Sequence, residues 1–259
     1  MRVIVTGGTG FIGSHVVREL GARGHEVHTI SRAARGPAIA ATHGQFSVQS
    51  PRARQFAAKG DAIVHLAGLA DASSSLRLPY AYAHLHSEGT LNMLEAARQC
   101  GALFLLVSSQ RVYAPQSGAL TEDAPKVPVD PYGYSKLAAE QWVEMYHRFY
   151  RLPTIIIRLF SVYGPGQVIV SGTSGVVSIL LRCVLSGEEL RVRSRVLRDF
   201  TYVGDAVRGI VQAITTPRAY GQTYNIATGR GTPLEELARL VCRCARADCP
   251  IRREEAALD

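Results

Sequence analysis

The sequence predicts an α/β protein built on a doubly wound parallel sheet, and three observations support this. Short, mostly apolar strand-like segments alternate with helical segments along the 259 residues, as in parallel sheets that are covered on both faces. A glycine-rich turn, Gly7 to Gly13, follows the first strand, and a later apolar strand ends in Ser108 and Ser109. Ligands of such sheets bind beyond the carboxyl ends of the strands, so we expect both features at a ligand site.

The first part of the chain supplies most of the predicted sheet. The predicted strands are Arg2–Thr6, Glu26–Ile30, Gln45–Val48, Asp61–Gly68 and Ala102–Ser109. The predicted helices are one that starts in the glycine turn, a short one over Arg52–Lys59, Tyr80–Gln99 and Pro131–Tyr150. Asp130 is a good N-cap for the last of these. The core residues expected on the third helix are Leu85, Leu91, Leu94 and Ala97.

The second part predicts a smaller lobe. Its expected elements are a helix over Val176–Leu185, a strand over Leu190–Arg193, a helix over Gly204–Ile214, a strand of the main sheet over Thr223–Ile226 and a helix over Leu234–Ala245. We expect residues 1–160 to form a dinucleotide-binding domain. Residues 161–259 should form mostly a small C-terminal substrate-binding lobe, with 200–230 returning to the main sheet.

The glycine-rich turn predicts a dinucleotide site. Gly7, Gly10 and Gly13 have the spacing GxxGxxG between a strand and an apolar helix. Gly7 allows a tight turn, Gly10 lets a pyrophosphate approach the backbone, and Gly13 lets the helix pack closely on the sheet. The helix N-terminus adds N–H donors and partial positive charge. A purely structural turn is the alternative, but the flanking strand and helix favour a ligand.

The end of the second strand bears on the choice between NAD and NADP. An acidic side chain about twenty residues after the glycines would bind the ribose of NAD, whereas an arginine would accommodate the 2′-phosphate of NADP. Here the strand ends in Ser31 and Arg32, without a carboxylate. Arg32 could pair with a phosphate, or it could be a solvated arginine of a basic protein. The residues slightly favour NADP.

Composition and charge narrow the class of partner. The net charge of +8 comes almost wholly from arginine, since the only lysines are Lys59, Lys126 and Lys136. The arginines form no basic run with interleaved aromatic residues, which favours a phosphorylated small molecule over nucleic acid. No apolar stretch has the length of a membrane span and no signal peptide precedes the first strand, so we expect a cytoplasmic protein. The five cysteines suit reduced thiols, and the spacing of Cys242 and Cys244 disfavours a metal site.

A chemical site is predicted at the start of the helix over Pro131–Tyr150, where Tyr132 and Lys136 lie one turn apart on one face. The apolar stripe that we expect to face the core consists of Ala138, Trp142, Met145 and Phe149. Core packing would then not explain why Tyr132 and Lys136 stand at these two positions. A phenol has a pKa of about 10, but a nearby ammonium and a helix N-terminus both stabilise the phenolate. Tyr132 could therefore take or give a proton; a partly exposed pair at helix spacing is the plainer alternative.

Six segments, in order along the chain, carry a resemblance to a known family. They are TGGTGFIG, DAIVHLAG, LLVSSQRVY, PYGYSK, RLFSVYGPGQ and RDFTYV. They resemble the extended short-chain dehydrogenases/reductases, in particular the nucleotide-sugar epimerase/dehydratase branch, over nearly the whole chain. The resemblance implies a Rossmann-type sheet with Tyr132 as the acid/base. It also implies that Lys136 lowers the tyrosine pKa and holds the nicotinamide ribose, and that Ser109 hydrogen-bonds the reacting sugar oxygen.

The resemblance also implies which residues bind the ligands. The cofactor pyrophosphate would lie on Gly7, Gly10, Phe11, Ile12 and Gly13. The adenosine side would pass Leu66, Ala67 and Gly68. The expected substrate-binding residues are Ser109, Phe160, Ser161 and Arg198, of which Arg198 would clamp the diphosphate of a sugar nucleotide.

Departures from the family pattern narrow the range of reactions that we expect. The dehydratases of this family carry an Asp-Glu pair, and its decarboxylases a Glu, directly after the Ser/Thr, where this chain has Gln110 and Arg111. Elimination of water needs that additional acid and base, so dehydration is disfavoured. Ser161 stands where the family usually has Asn. His86 replaces the usual Asn of NxxGT, and it is either a ligand to the sugar or a packed helix histidine.

These observations predict an oxidoreductase of nucleotide-diphosphate sugars. The leading hypothesis is a 4-epimerase that works through a 4-keto intermediate. An NADPH-dependent reductase of nucleotide 4-keto sugars would use the same residues and is the close alternative. A non-catalytic nucleotide-binding regulator is an alternative of another class. The resemblance further implies a homodimer, because relatives commonly pack helices together across a dimer interface.

Overall fold

The structure, a computed structural model, describes residues 1–58, 61–116, 118–167, 175–193 and 196–254. The strands are β1 Arg2–Thr6, β2 Glu26–Ser31, β3 Thr42–Gln45, β4 Ala62–His65, β5 Leu103–Ser109, β6 Thr154–Leu159, β7 Ser161–Tyr163, β8 Leu190–Arg193, β9 Leu197–Arg198, β10 Phe200–Tyr202, β11 Gln222–Ile226, β12 Thr232–Pro233 and β13 Ile251–Glu254. The helices are α1 Phe11–Ala22, α2 Pro51–Ala57, α3 Ala72–Ser75, α4 Pro79–Cys100, α5 Pro131–Tyr150, α6 Val176–Leu185, α7 Val203–Ile214 and α8 Leu234–Ala245.

Seven strands form the central sheet in the order β11-β6-β5-β4-β1-β2-β3, and every neighbouring pair is parallel. The chain adds strands outward from β1 to β3 and then returns to place β4 on the other side of β1. The winding direction therefore reverses between β1 and β4, which is the point where such sheets bind ligands. The glycine turn follows β1 directly. The predicted doubly wound α/β fold is confirmed.

The strands of this sheet are apolar because they are buried. Every residue of β4 and β6 is buried, as is all of β5 except Ser109, which is typical of parallel strands covered on both faces. Of the core residues predicted on α4, Leu94 and Ala97 are fully buried. Leu85 and Leu91 are partly buried and pack against the same hydrophobic cluster. None of the described helices is long and apolar enough to span a membrane.

The chain divides into two compact units. The first unit comprises Met1–Leu159 and Gly204–Ile226, and therefore contains the whole central sheet. The second unit comprises Phe160–Val203 and the residues from Ala227 onward. In the second unit, α6 and α8 pack with the parallel pair β8 and β13 around a core of their own. The elements predicted over Val176–Leu185, Leu190–Arg193 and Leu234–Ala245 form with those bounds.

The third strand lies three residues earlier than the sequence predicts. The strand was predicted over Gln45–Val48, whereas β3 spans Thr42–Gln45. Val48 is buried, but it packs against a helix instead of pairing in the sheet. A Cβ at Gly89 of α4 would lie 2.7 Å from Cγ2 of Val48. Its apolar character therefore reflects packing against α4, not strand pairing. The short helix α2 spans Pro51–Ala57, and Lys59, where it was predicted to end, lies outside the described residues.

The apolar stripe predicted for α5 is wrong. Trp142 and Phe149 are 37% and 70% exposed, and Ala138 and Met145 are only partly buried. The buried residues of the helix are Tyr132, Gly133, Ser135, Lys136, Ala139, Glu140, Val143 and Tyr146. Several of these are polar and have partners inside the protein, so hydrophobicity alone points to the wrong face. The inference that packing does not explain the position of Tyr132 and Lys136 is also wrong, because both are buried.

Candidate active site

The glycine turn between β1 and α1 is closed by contacts that only glycine permits. Gly7 has a φ of +71°, and a Cβ there would lie 3.0 Å from the backbone nitrogen of Ala67. A Cβ at Gly13 would lie 2.2 Å from the carbonyl oxygen of Gly7. A Cβ at Gly10 would meet only that oxygen within 4 Å among the described atoms, and no described side chain caps α1. The turn therefore presents open backbone and a helix N-terminus, which suits a pyrophosphate.

Thr6, the last residue of β1, holds the end of β4 against this turn. Its buried hydroxyl accepts the N–H groups of Leu66 and Ala67 at 3.2 and 3.1 Å, and it contacts Nδ1 of His65 at 2.8 Å. Because the oxygen already accepts two donors, the hydroxyl donates to His65, which assigns the imidazole proton to Nε2. Burial first, and then the charge of Lys136, lowers the pKa of His65 to about 3. This ring is therefore neutral at physiological pH.

The end of β2 presents the residues predicted to choose the cofactor. Ser31 closes β2 and is partly buried, and its hydroxyl accepts the N–H of Ala33 at 3.1 Å. Arg32 follows directly and is exposed. The pairing of this guanidinium with a ligand phosphate stays a prediction.

The start of α5 is fixed by side chains on both flanks. Asp130 accepts the N–H of Gly133 at 2.8 Å, which confirms the predicted N-cap. The N–H of Tyr132 donates to Oγ of Ser75 at 3.2 Å. The carboxylate of Asp130 also forms an ion pair with Arg111. A Cβ at Gly133 would lie 2.3 Å from the carbonyl oxygen of Arg111, so the backbone after β5 and the first turn of α5 are in close contact.

Tyr132 is buried and hydrogen-bonded to Ser109, the last residue of β5. Burial raises the pKa of Tyr132. The hydrogen bond from Ser109 and the charge of Arg111 oppose that rise, and the charge of Asp130 adds to it. The cation that favours the phenolate in the protein alone is thus Arg111, whereas the sequence predicted this effect for the lysine one turn along. In the protein alone, burial thus favours the protonated form of Tyr132.

Lys136 lies one turn after Tyr132 on α5 and is also buried. Its ammonium donates to the carbonyl oxygen of Val107 at 3.1 Å, which is one of its three possible hydrogen bonds. Burial lowers the pKa of Lys136 to about 8, and the negative charge of Glu140 opposes this. Glu140 is itself paired with Arg158 at 2.7 Å, with both side chains almost fully buried. Lys136 therefore lies near a buried ion pair, that of Glu140 and Arg158, within the first unit.

The residues predicted to bind substrate beyond Ser109 belong to the second unit. Ser161 begins β7, which pairs with β10 in parallel, and its N–H donates to the carbonyl oxygen of Asp199 at 3.1 Å. Phe160 precedes it, and Arg198 lies on β9 beside Asp199. The carboxylate of Asp199 accepts backbone N–H groups at 2.7 to 3.1 Å, those of Thr228, Gly229 and Arg230. Asp199 thereby folds the loop before β12 onto the strand that carries Arg198.

Several residues of this site were not predicted from the sequence. They are Thr6, His65, Ser135, Glu140 and Arg158. One signal was available for the last of them: Arg158 interrupts the apolar run TIIIRL of a buried strand, and a charge at such a position requires a buried partner. Glu140 is spaced one turn from Lys136 on the same helix face, but only the structure identifies it as the partner of Arg158.

A Rossmann-like parallel sheet with this turn and this Tyr-Lys-Ser group defines a protein of the extended short-chain dehydrogenase/reductase type. The chain belongs to the NAD dependent epimerase/dehydratase family, which matches residues 3–227. The UDP-glucose 4-epimerase of Mycolicibacterium smegmatis is 32% identical over 253 residues, which cover 92% of this chain and 80% of that protein. The dTDP-glucose 4,6-dehydratases are also among the relatives.

Two solved structures are closely similar. The UDP-glucose 4-epimerase of Thermotoga maritima, solved with UDP-glucose, has a TM-score of 0.91 at 29% identity and is matched over 100% of this chain and 87% of that one. The UDP-glucose 4-epimerase of Thermus thermophilus, solved with NAD, has a TM-score of 0.87 at 28% identity, over 99% and 90% of the two chains. The fold and family inferred from the sequence motifs are therefore confirmed.

Proposed function

We propose that this protein is a nucleotide-diphosphate sugar 4-epimerase that uses NAD, with a 4-keto sugar as intermediate. The observation that carries the proposal is the hydrogen bond between Tyr132 and Ser109 at the end of β5, next to the buried Lys136. The two residues after Ser109 are Gln110 and Arg111, so the carboxylates that elimination of water would require are not at that place. What this group of residues can do is move a proton on and off an alcohol oxygen.

The proposed role of each side chain follows from its chemistry. Tyr132 accepts the proton of the sugar 4-hydroxyl and later returns a proton to the ketone oxygen. Ser109 hydrogen-bonds that same oxygen and positions it. When bound, NAD accepts and returns the hydride. After the 4-keto sugar turns over, the other face of its carbonyl carbon would receive the hydride while Tyr132 returns a proton to the oxygen, so the net reaction inverts one carbon without net oxidation.

The described residues fit a dinucleotide. The open backbone at Gly10 and the uncapped start of α1 suit the pyrophosphate. The ammonium of Lys136, with one acceptor among the described residues, has donors for ribose hydroxyls. We further propose that Phe160, Ser161 and Arg198 contribute to binding of the sugar nucleotide, since a guanidinium is suited to a diphosphate.

One observation favours an NADPH-dependent reductase of nucleotide 4-keto sugars as the second candidate. Arg32 is exposed at the end of β2 and follows Ser31, so a 2′-phosphate would meet a cation there and no carboxylate. The family description and the NAD complex of the similar epimerase support NAD instead. The reductase would consume its cofactor with every turnover, whereas the epimerase would regenerate it.

The decisive experiment is to identify the nucleotide that copurifies with the protein and then to test turnover. Absorbance and mass spectrometry of the released nucleotide give its identity, and ¹H NMR follows the interconversion of UDP-glucose and UDP-galactose. Stoichiometric NAD and interconversion without added cofactor would support the epimerase. An empty site that binds NADPH at least tenfold more tightly than NADH, about 1.4 kcal/mol, would support the reductase. Binding of a nucleotide with no turnover of any sugar nucleotide would support the regulator, and absence of dinucleotide binding would refute all three.

We also propose that the protein is a homodimer. The outer face of α5 carries large apolar side chains in solvent: Trp142, Phe149 and Tyr150 are 37%, 70% and 53% exposed. A second copy of the chain would cover them. Light scattering coupled to gel filtration should give twice the chain mass, and the variant Trp142→Glu/Phe149→Glu should be a monomer. The control Leu185→Glu, at a 73% exposed position on α6, should remain a dimer.

A further inference from the structure

We propose that His86 is a positioning residue for Lys136: its Nε2 accepts a hydrogen bond from the lysine ammonium, directly or through one water, and so holds the ammonium in the charged form at the dinucleotide site. The proposal rests on the proposed function for the role of Lys136 with the cofactor. His86 lies on α4 and is 2% exposed. It stands where the family pattern that the chain resembles has an asparagine, and the mechanism above does not use it.

The hydrogen bonds around His86 decide which of its nitrogens carries the proton. Nδ1 lies 2.7 Å from Oγ of Ser135, and Ser135 donates its own proton to the carbonyl oxygen of Tyr132 at 2.8 Å. A serine hydroxyl has one proton, so Ser135 accepts from His86 and the imidazole proton is assigned to Nδ1. Nε2 is then a lone-pair acceptor. It is buried and has no hydrogen-bond partner among the described residues.

The unpartnered nitrogen and the lysine ammonium both lie close to Gly68. Gly68 follows β4, and a Cβ there would lie 2.5 Å from Nε2 of His86 and 3.6 Å from Nζ of Lys136. Both nitrogens thus lie within 4 Å of the same point, and glycine leaves that point open. A buried acceptor of this kind is costly unless it is satisfied, and an ammonium with unused donors is the complementary group.

Three other groups near Lys136 are already engaged and do not accept a further hydrogen bond from its ammonium. Glu140 lies on the same helix as the lysine and its carboxylate is bonded to Arg158. On β4, His65 uses Nδ1 to accept from Thr6. On β5, the carbonyl oxygen of Val107 already accepts from Lys136. On α4, Nε2 of His86 is a buried acceptor without a partner among the described residues.

His86 acts as a neutral acceptor at every working pH. Burial first, then the charges of Lys136 and His65, lower its pKa to about 2, and the carbonyl of Leu69 only partly opposes this. An ammonium beside a neutral lone pair is stabilised. Removal of the lone pair should therefore lower the pKa of Lys136 below its value of about 8, and it should weaken the hydrogen bonds that the ammonium makes to a dinucleotide.

The small number of lysines makes a direct test possible. Lys59, Lys126 and Lys136 are the only lysines, so ¹³C-lysine labelling should give three Cε signals, and Lys136→Arg assigns the third. The titration of that signal is followed in the cofactor-free protein, for the natural sequence and for two variants. His86→Leu keeps the bulk and removes the acceptor, whereas His86→Asn keeps an acceptor oxygen. Circular dichroism and the melting temperature establish that each variant is folded.

We expect the Lys136 midpoint to fall by about one pH unit, a tenfold change in the acid constant, in His86→Leu and to be largely retained in His86→Asn. The Kd for NADH, measured by fluorescence, should rise several-fold in the leucine variant only. Equal midpoints in all three proteins, or an equal fall in both variants, would overturn the proposal, since the second pattern indicates a packing role. If His86→Leu does not fold, Ser135→Ala, which frees the tautomer and keeps the ring, should lower the midpoint by a smaller amount.

The lysine titration needs no cofactor, so its outcome is separate from that of the proposed function. A lowered midpoint in a protein that binds no dinucleotide would refute the epimerase and leave the contact between His86 and Lys136 standing. An unchanged midpoint in an active epimerase would refute only the contact.

Discussion

The substitution Glu140→Gln should destabilise the protein strongly, because it leaves a buried guanidinium without its anion. The Glu140 and Arg158 side chains are 0% and 1% exposed, and their atoms meet at 2.7, 3.0 and 3.2 Å. Breaking such a pair by removing one partner costs about 3–5 kcal/mol. At about 2–4 °C per kcal/mol for a chain of this length, the melting temperature should fall by roughly 6–20 °C.

Glu144 on the same helix provides a matched control. It pairs with Lys126 at 3.5 Å, and the two side chains are 51% and 37% exposed. Exposed pairs contribute about 1 kcal/mol or less, so Glu144→Gln should change the melting temperature by only a few degrees. Urea unfolding and differential scanning fluorimetry at pH 7 compare the two variants. If Glu140→Gln costs no more than Glu144→Gln, the reasoning from burial is wrong.

A double substitution separates the loss of the pair from the loss of packing. Glu140→Leu combined with Arg158→Met replaces both charges by apolar groups, so no buried charge remains unpaired. Such replacements are often neutral or stabilising, and the double variant should recover most of the stability lost in Glu140→Gln. Failure to recover would instead attribute the loss to Tyr113, whose hydroxyl accepts from Arg158 at 2.7 Å.

Three further predictions concern the site. Tyr132→Phe should reduce epimerisation by about 10²–10⁴-fold and leave the Kd for NADH within a factor of a few, because only the proton-transfer group is lost. Gly13→Ala should abolish NADH binding in titrations, since its Cβ would lie 2.2 Å from the Gly7 oxygen, whereas Gly231→Ala, with its nearest contact at 3.5 Å, should bind normally. The pKa of Lys136 is lowered to about 8 by burial, so the unfolded chain binds its proton more tightly. Stability should therefore rise with pH above about 8, and urea unfolding of Lys136→Met should show a smaller rise; equal slopes would contradict the assignment.

Local sequence patterns were sufficient to predict most helices and strands, but they did not predict which face of α5 is buried. The caps and the length of apolar runs placed Pro131–Tyr150 and Val176–Leu185 with the bounds observed, because these signals are local. The face that α5 buries is set by partners distant in sequence, such as Val107 for Lys136. The sequence motifs indicated Tyr132 and its neighbours, but no local pattern could reveal that the tyrosine is buried or that Arg111 carries the nearby positive charge.

The late position of β11 in the chain has a consequence for how the protein folds during translation. β11 covers the edge of β6, and its Asn225 bonds to Tyr113 and to the carbonyl of Leu120 at 2.7 and 2.9 Å. On the ribosome, β6 is complete long before β11 exists, so its apolar segment Ile155–Ile157 and a row of unpaired N–H and C=O groups stay open while the second unit is being made. The nascent chain is therefore prone to self-association in that interval, and slower growth at low temperature or added chaperones should improve its yield.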